Sequence, residues 1–285
     1  PPDSFPFEYL GDIQDGRIDE AKLAEFITRD PNQPYCVVVA SHEPHGPWTL
    51  GDSNLYTPEE MIVPPYLYDC PETRKAMVPY YREISVLDAQ LGQCLAMVDR
   101  SPQAKNTLVM FLSEQGSSMP FGKWTCYDAG LKAACIVRWP GKVAPGTRTS
   151  ALCTYGDILP TLIEAAGGDP TKVDTGCSDA FGNRGFDGQS FLDVLLGKKA
   201  THHKYVFGAH TTRGIINGSE CYPIRSVRSD RFKYIWNPNW KATFYNAEGT
   251  SRTGLPKQWL DRNEPEAKAR AEAYYHRPEE ELYDL

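Results

Sequence analysis

The chain has 285 residues, 41% of them hydrophobic and 24% charged, and a formal net charge of -7. That length and apolar content suffice to bury one large core, or a core with a smaller appended layer. The acidic balance argues against nucleic acid as a partner, since phosphate backbones need a concentrated basic surface, and no apolar run reaches the length of a membrane span.

The first predicted element is a short amphipathic helix over Ile18 to Arg29. Pro34-Tyr35-Cys36-Val37-Val38-Val39-Ala40 then reads as a buried strand running into Ser41-His42-Glu43-Pro44-His45-Gly46-Pro47-Trp48. Two histidines at a strand end are poor core fillers. The prolines at 44 and 47 stiffen the loop and would hold an imidazole in one orientation, which suits a general acid or a donor to an anion's oxygen.

A longer helix is predicted over Tyr80 to Val98, with Tyr80, Ile84, Leu87, Leu91, Leu95 and Val98 as its core-facing stripe. The apolar run from Thr107 to Leu112 reads as a strand that delivers Ser113, Glu114 and Gln115 into a loop. Open α/β sheets bind ligands at such carboxyl ends. A Glu carboxylate and a Gln carbonyl are hard oxygen donors, suited to Ca²⁺ or Mg²⁺. Gly116 and Gly122 allow a tight turn or a close approach of the backbone to a ligand, and Lys123 can set a compact ammonium against a sulfate or phosphate oxygen.

Strands and helices alternate from there through Gly167, which predicts an α/β fold with a mainly parallel sheet covered by helices on both faces. Thr171 to Gly188 is rich in Gly, Asp and Ser and reads as a loop or linker, dividing a main domain, 1–188, from a C-terminal subdomain, 189–285. In the latter, strand-like Tyr205 to Ala209 leads to His210-Thr211-Thr212-Arg213-Gly214. Ile224 to Arg228 and Phe232 to Trp236 around Ser229-Asp230-Arg231 give a hairpin signal, which suits a smaller antiparallel layer. His210 and Arg213 sit at a strand end, where an arginine could fork onto a carboxylate or sulfate of a sugar. The tail from Pro256 to Pro278 is charged and helix-prone and reads as a solvated face.

Eight cysteines show no paired CxxC spacing, so a zinc-finger type of site is not expected. Cys36, Cys94 and Cys135 are read as buried thiols, and Cys177 and Cys221 as disulfide candidates if the protein is exported.

Taken in order, these segments resemble the sulfatases of the alkaline phosphatase superfamily. Val37 to Trp48 resembles the family's His-x-Pro-His loop, in which the second histidine, here His45, contacts the sulfate. Leu112 to Gly116 is similar to the segment that supplies two metal ligands, with Glu114 and Gln115 standing where Asp and Asn or His are usual. Gly122-Lys123-Trp124 with Tyr127 resembles the segment whose lysine binds the sulfate. Ile136 to Gly141, the helix from Asp157 to Leu162 with Gly167-Gly168, and the closing Glu281 to Leu285 follow in the family's order.

The resemblance implies an alkaline phosphatase-like fold and an exported enzyme, whether periplasmic, secreted or lysosomal, that hydrolyses a sulfate ester or sulfamate of a sulfated saccharide. It further implies Ca²⁺ or Mg²⁺, Lys123 and His45 as catalytic groups, and a formylglycine nucleophile. The Cys-x-Pro-Ser-Arg-like signature that becomes formylglycine, and the paired aspartates before it, do not occur ahead of residue 34. The chain is therefore read as a piece of a longer enzyme, inactive alone. Cys221-Tyr222-Pro223-Ile224-Arg225 matches the signature only in outline: it falls after the lysine segment and carries bulky residues at 222 and 224. The rival expectations are a phosphoesterase or phosphonate hydrolase of the same superfamily, and a non-catalytic glycan-binding remnant of the fold. Oligomeric state is not legible.

Overall fold

A computed structural model of the chain describes residues 7–11, 18–211, 221–246 and 254–285. The chain forms two compact units, residues 1–107 and 108–285.

In the first unit, helix α1 (Glu20–Thr28) starts at Asp19, whose carboxylate accepts the Lys22 amide proton at 3.1 Å. An acidic cap satisfies an orphan N–H and complements the helix dipole. Leu23 and Ile27 sit one turn apart on its inner face and pack with Met97 of helix α2 (Pro71–Arg100). Tyr35, Val37 and Cys94 close over that cluster. Helix α2 begins earlier than the sequence suggests, with Pro71 at its first position, where the missing N–H costs nothing.

Its buried line also differs from the apolar stripe. Thr73, Met77, Glu83, Gln90 and Met97 are buried, whereas Ile84 is 37% exposed. Glu83 and Gln90 are buried because each meets a loop: Glu83 accepts the Leu50 N–H at 2.8 Å, and Gln90 accepts the Ser41 hydroxyl at 2.6 Å.

The strand expected over Pro34 to Ala40 is not formed. The segment keeps the two-residue alternation, with Tyr35 and Val37 half-buried and Cys36 and Val38 exposed. Among the described residues no strand pairs with it, and without a ladder Val38 is 85% exposed.

In the second unit, strand β1 (Val109–Leu112) pairs antiparallel with β2 (Cys135–Arg138), Val109 opposite Arg138 and Leu112 opposite Cys135. Between them lies the short helix α3 (Asp128–Leu131). The mainly parallel sheet expected from the alternation of elements is thus absent among the described residues, where every ladder is antiparallel. Periodicity reports which residues are apolar and not which strands become neighbours, so it could not exclude a hairpin-like return. Helix α4 (Ile158–Ala165) follows a capping box in which the Thr154 amide donates to Asp157 at 2.7 Å. Residues 173–188 are irregular, as their Gly, Asp and Ser content suggests, and helix α5 (Leu192–Leu195) follows.

The antiparallel layer is present as expected. Strands β3 (Val206–His210), β4 (Ile224–Arg228), β5 (Phe232–Trp236) and, from the chain's end, β6 (Glu280–Asp284) form one sheet in that order. The hairpin pairs Arg225 with Trp236 and Arg228 with Lys233. Helices α6 (Leu255–Asp261) and α7 (Pro265–Tyr275) belong to this core: Leu255, Trp259, Ala267 and Ala271 are all fully buried. The tail is therefore not simply a solvated face, because alanines four residues apart make one small, apolar stripe amid charged neighbours.

The cysteine readings are corrected in part. All eight are free, including Cys177 and Cys221, which are both exposed; Cys36 and Cys135 are exposed, while Cys70 and Cys126 are the buried thiols. Cys221 precedes fully buried Tyr222 and Ile224 at the entry to β4, the setting of a structural segment.

Candidate active site

The loop between β1 and α3 is closed by backbone contacts that only glycine permits. The Gly116 amide donates to Gly130 O at 2.9 Å and the Lys123 amide to Ser117 O at 2.7 Å. A Cβ on Gly116 would lie 1.7 Å from Ala129 O, and one on Gly122 would lie 2.1 Å from Ser117 O. The Thr125 hydroxyl donates to the carbonyls of Phe121 and Gly122 at 2.8 and 2.7 Å.

Within this knot Phe121 and Trp124 take φ of 66° and 63°, the left-handed region that non-glycine residues rarely occupy. They flank Gly122 and Lys123. Such backbone is held only where its surroundings over-determine it, and it concentrates at binding and catalytic sites. Lys123 itself is half-buried, with its ammonium 5.4 Å from the Trp124 ring centroid. Its carbonyl accepts the Asn246 side-chain amide at 2.8 Å.

Glu114 is exposed and Gln115 half-buried, and the Gln115 amide donates to the Glu114 carboxylate at 3.2 Å. That contact turns the two side chains together and leaves the Gln carbonyl oxygen and the second carboxylate oxygen as hard donors. The end of β1 is held by Ser113, whose hydroxyl accepts the Ala134 amide at 2.8 Å and whose carbonyl accepts the Tyr155 hydroxyl.

The segment after Lys123 is anchored to the four-stranded sheet. Tyr127 donates its hydroxyl to Glu281 of β6 at 2.9 Å, and Lys233 of β5, 3% exposed, reaches Asp128 at 2.8 Å. Burial raises the Tyr127 hydroxyl well above its usual range, so it stays a donor. Helix α3 also presses on β3, where a Cβ at Gly208 would meet Leu131 Cδ1 at 2.4 Å and Ser226 Oγ at 2.6 Å. Two residues on, His210 is held down at about 4 by burial, and the Arg277 and Arg225 guanidiniums add to the effect. At neutral pH it is an uncharged ring. Arg213 lies outside the described residues.

His45 belongs to the 1–107 unit, and Glu114, Gln115, Lys123 and His210 to the 108–285 unit. The histidine loop is pinned at both ends by the contacts from Gln90 to Ser41 and from Glu83 to Leu50. The Glu43–Pro44 and Gly46–Pro47 peptide bonds are cis. His45 Nδ1 lies 2.8 Å from the Gly46 carbonyl, which fixes the proton on Nδ1 and leaves Nε2 for a ligand. His42 packs edge-on to it at 4.9 Å between centroids and contacts buried Glu43 at 3.3 Å.

Sequence reasoning missed Glu83 and Gln90. Their signal was present as two polar residues seven apart on one face of a helix.

Residues 19–168 match the family model described as Sulfatase. The chain belongs to the sulfatase family. It is 32% identical over 265 residues to an ulvan-active sulfatase of Formosa agariphila, covering 90% of this chain and 47% of that protein. Human N-sulphoglucosamine sulphohydrolase is 24% identical over 327 residues, covering 98% of this chain and 61% of that protein. The crystal structure of yidJ from Bacteroides fragilis aligns with a TM-score of 0.61 at 18% identity, over 87% of this chain and 59% of that one. The structure of Ps i-CgsB in complex with k-i-k-neocarrahexaose aligns at 0.57 and 18% identity, over 90% and 56%. The fold is therefore that of the sulfatases, and the chain spans about half the length of the ulvan-active relative.

Proposed function

We propose that this chain carries the sulfate-binding part of a sulfatase that hydrolyses sulfate esters, or sulfamates, of a sulfated saccharide. The observation that carries the reading is the strained, glycine-locked loop that presents Lys123 in a chain of the sulfatase family. Ulvan activity, glucosamine sulfamate and a bound neocarrahexaose in the names of the relatives support a saccharide.

In this reading Lys123 neutralises a sulfate oxygen from a position fixed before the substrate arrives, and His45 offers Nε2 to another oxygen or to the leaving group. Preorganised charge of this kind acts without the reorganisation that water would need. Glu114 and Gln115 would hold Ca²⁺, with Mg²⁺ as the other candidate, because a carboxylate and a carboxamide carbonyl are hard oxygen donors on neighbouring side chains already in contact. The ion, when bound, would withdraw charge from the sulfate; a formylglycine outside these residues would supply the attacking oxygen. Neutral His210, with Arg213, would meet the sugar.

The apolar run Val109 to Leu112 supports placing β1 in a mainly parallel, alkaline phosphatase-like sheet: strands covered on both faces read this way, yet each of its residues is part-exposed here. The four-stranded layer, built wholly after residue 205, supports a subdomain boundary near 188. The family reading favours an exported protein; no helix among the described residues is long and apolar enough to cross a membrane.

The test is sulfate release from sulfated saccharides by the native polypeptide, followed by ion chromatography alongside peptide mapping. Release that falls about 100-fold or more in Lys123→Ala is expected. Preference for phosphate monoesters would assign a phosphoesterase instead, and saccharide binding without release from a mature chain that truly starts at Pro1 would leave a glycan-binding remnant.

A further inference from the structure

We propose that Asp157, His202 and His203 form a second metal site, for a borderline transition ion of the Zn²⁺ class, distinct from the oxygen donors Glu114 and Gln115. One ligand atom from each of the three residues lies within 4.8 Å of the others. The donors come from the capping turn of α4 and from the segment that enters β3, and Asp157 and His203 are 46 residues apart.

Adjacent residues of an extended segment send their side chains to opposite sides. His203 is in such a segment, bridged antiparallel to Leu152, yet both imidazoles turn to the same carboxylate, with ring centroids 4.1 Å apart. His203 Nε2 is 2.9 and 3.0 Å from the two Asp157 oxygens, and His202 Nε2 is 3.5 Å from one of them. The Asp157 side chain is fully buried, His202 is 10% exposed and His203 23%.

His202 Nε2 is the telling atom. It is buried without a well-formed hydrogen bond, and its 3.5 Å approach to Asp157 is at the outer limit for one. The carboxylate it faces is already served by other donors, since Asp157 also accepts from the Thr154 amide at 2.7 Å, the Thr154 hydroxyl at 3.1 Å and the Gln189 amide at 2.8 Å, and an ion that displaced the His203 proton would find one lone pair free. A hydrogen-bond node does not need this second imidazole, and a buried nitrogen left poorly paired is unfavourable.

A tetrahedral ion has a use for it. Zn–N and Zn–O bonds of about 2.0–2.1 Å put neighbouring donors about 3.3 Å apart; the two Asp157–histidine separations, 2.9 and 3.5 Å, bracket that value, and the three donors together lie within 4.8 Å. Two imidazoles with one carboxylate select Zn²⁺, Cu²⁺, Ni²⁺ or Co²⁺ over Ca²⁺ and Mg²⁺. The Thr154 and Gln189 amides would orient the carboxylate from behind, and the part-exposed edge at His203 leaves a fourth position to water. The ion would clamp the start of α4 to the entry of β3. The site stands whether or not the protein cleaves sulfate.

The test is titration of the chelator-treated chain with Co²⁺, read by visible d–d absorption, and with Zn²⁺, read by melting temperature. Expected are one tight tetrahedral Co²⁺ per chain, a rise in melting temperature with Zn²⁺, and both effects retained in Glu114→Ala. Both should be lost in His202→Gln, with affinity falling by more than the 10–100-fold that removal of a merely supporting residue gives. His203→Gln keeps a donor for Asp157, so it folds if the contact is only a hydrogen bond, but it should no longer bind Co²⁺. Absence of a tetrahedral Co²⁺ spectrum in the unsubstituted chain, or titrations unchanged in His202→Gln and His203→Gln, would overturn the proposal.

Discussion

Gly122→Ala tests whether the Lys123 loop is held by close backbone packing. The added methyl would lie 2.1 Å from Ser117 O and 2.9 Å from Met119 O. Restoring an ordinary contact of about 3.4 Å requires the Ser117 carbonyl to retreat by about 1.3 Å. That same carbonyl accepts the Lys123 amide at 2.7 Å, so the retreat stretches the bond to about 4 Å and breaks it. Overpacking of about 1–3 kcal/mol and one lost hydrogen bond of about 1 kcal/mol together give about 2–4 kcal/mol.

For a unit of this size the cost appears as a fall in melting temperature of roughly 5–15 °C, measurable by circular dichroism, and sulfate turnover by the native polypeptide should fall with it. Gly141→Ala is the control. Gly141 has φ of 74° and nothing within 4 Å of its would-be Cβ, so only left-handed strain of about 1–2 kcal/mol applies. If Gly122→Ala proved no more destabilising than Gly141→Ala, and turnover survived, the packing argument would be wrong.

Asp128→Ala strands the buried Lys233 ammonium, which it meets at 2.8 Å, and removes the 3.2 Å contact to Arg228; a loss of about 3–5 kcal/mol is expected in urea unfolding, and under 1 kcal/mol would show that water reaches Lys233. His210 sits at about 4 in the folded chain against 6.5 when free, so its contribution to stability is complete above pH 6.5 and is lost as pH falls toward 4. His210→Asn should therefore flatten the acid limb of a melting-temperature profile between those values, and an unchanged limb would show the ring is solvated. Trp259→Ala empties a fully buried site between α6 and its neighbours and should cost about 3–5 kcal/mol; a cost below 1 kcal/mol in the same unfolding assay would mean that α6 does not belong to the core.

Local chemistry was legible in the sequence wherever a residue's role depends on its own neighbours. Strand β1 and its loop, the hairpin of β4 and β5, and the irregular stretch before Gly188 all follow from apolar runs and turn residues. Pairing was not legible. Val37 to Ala40 has the composition of a strand and no ladder partner among the described residues, and β2 returns antiparallel where alternation suggested a parallel neighbour. The alanine stripe of α7 was hidden because its burial depends on what lies opposite. Tertiary structure alone decided that Glu83 and Gln90 hold the histidine loop, that left-handed backbone flanks Lys123, and that two adjacent histidines converge on Asp157. Each of these is set by contacts between residues distant in the chain or by packing that over-rides local preference, and a sequence read one window at a time carries no record of either.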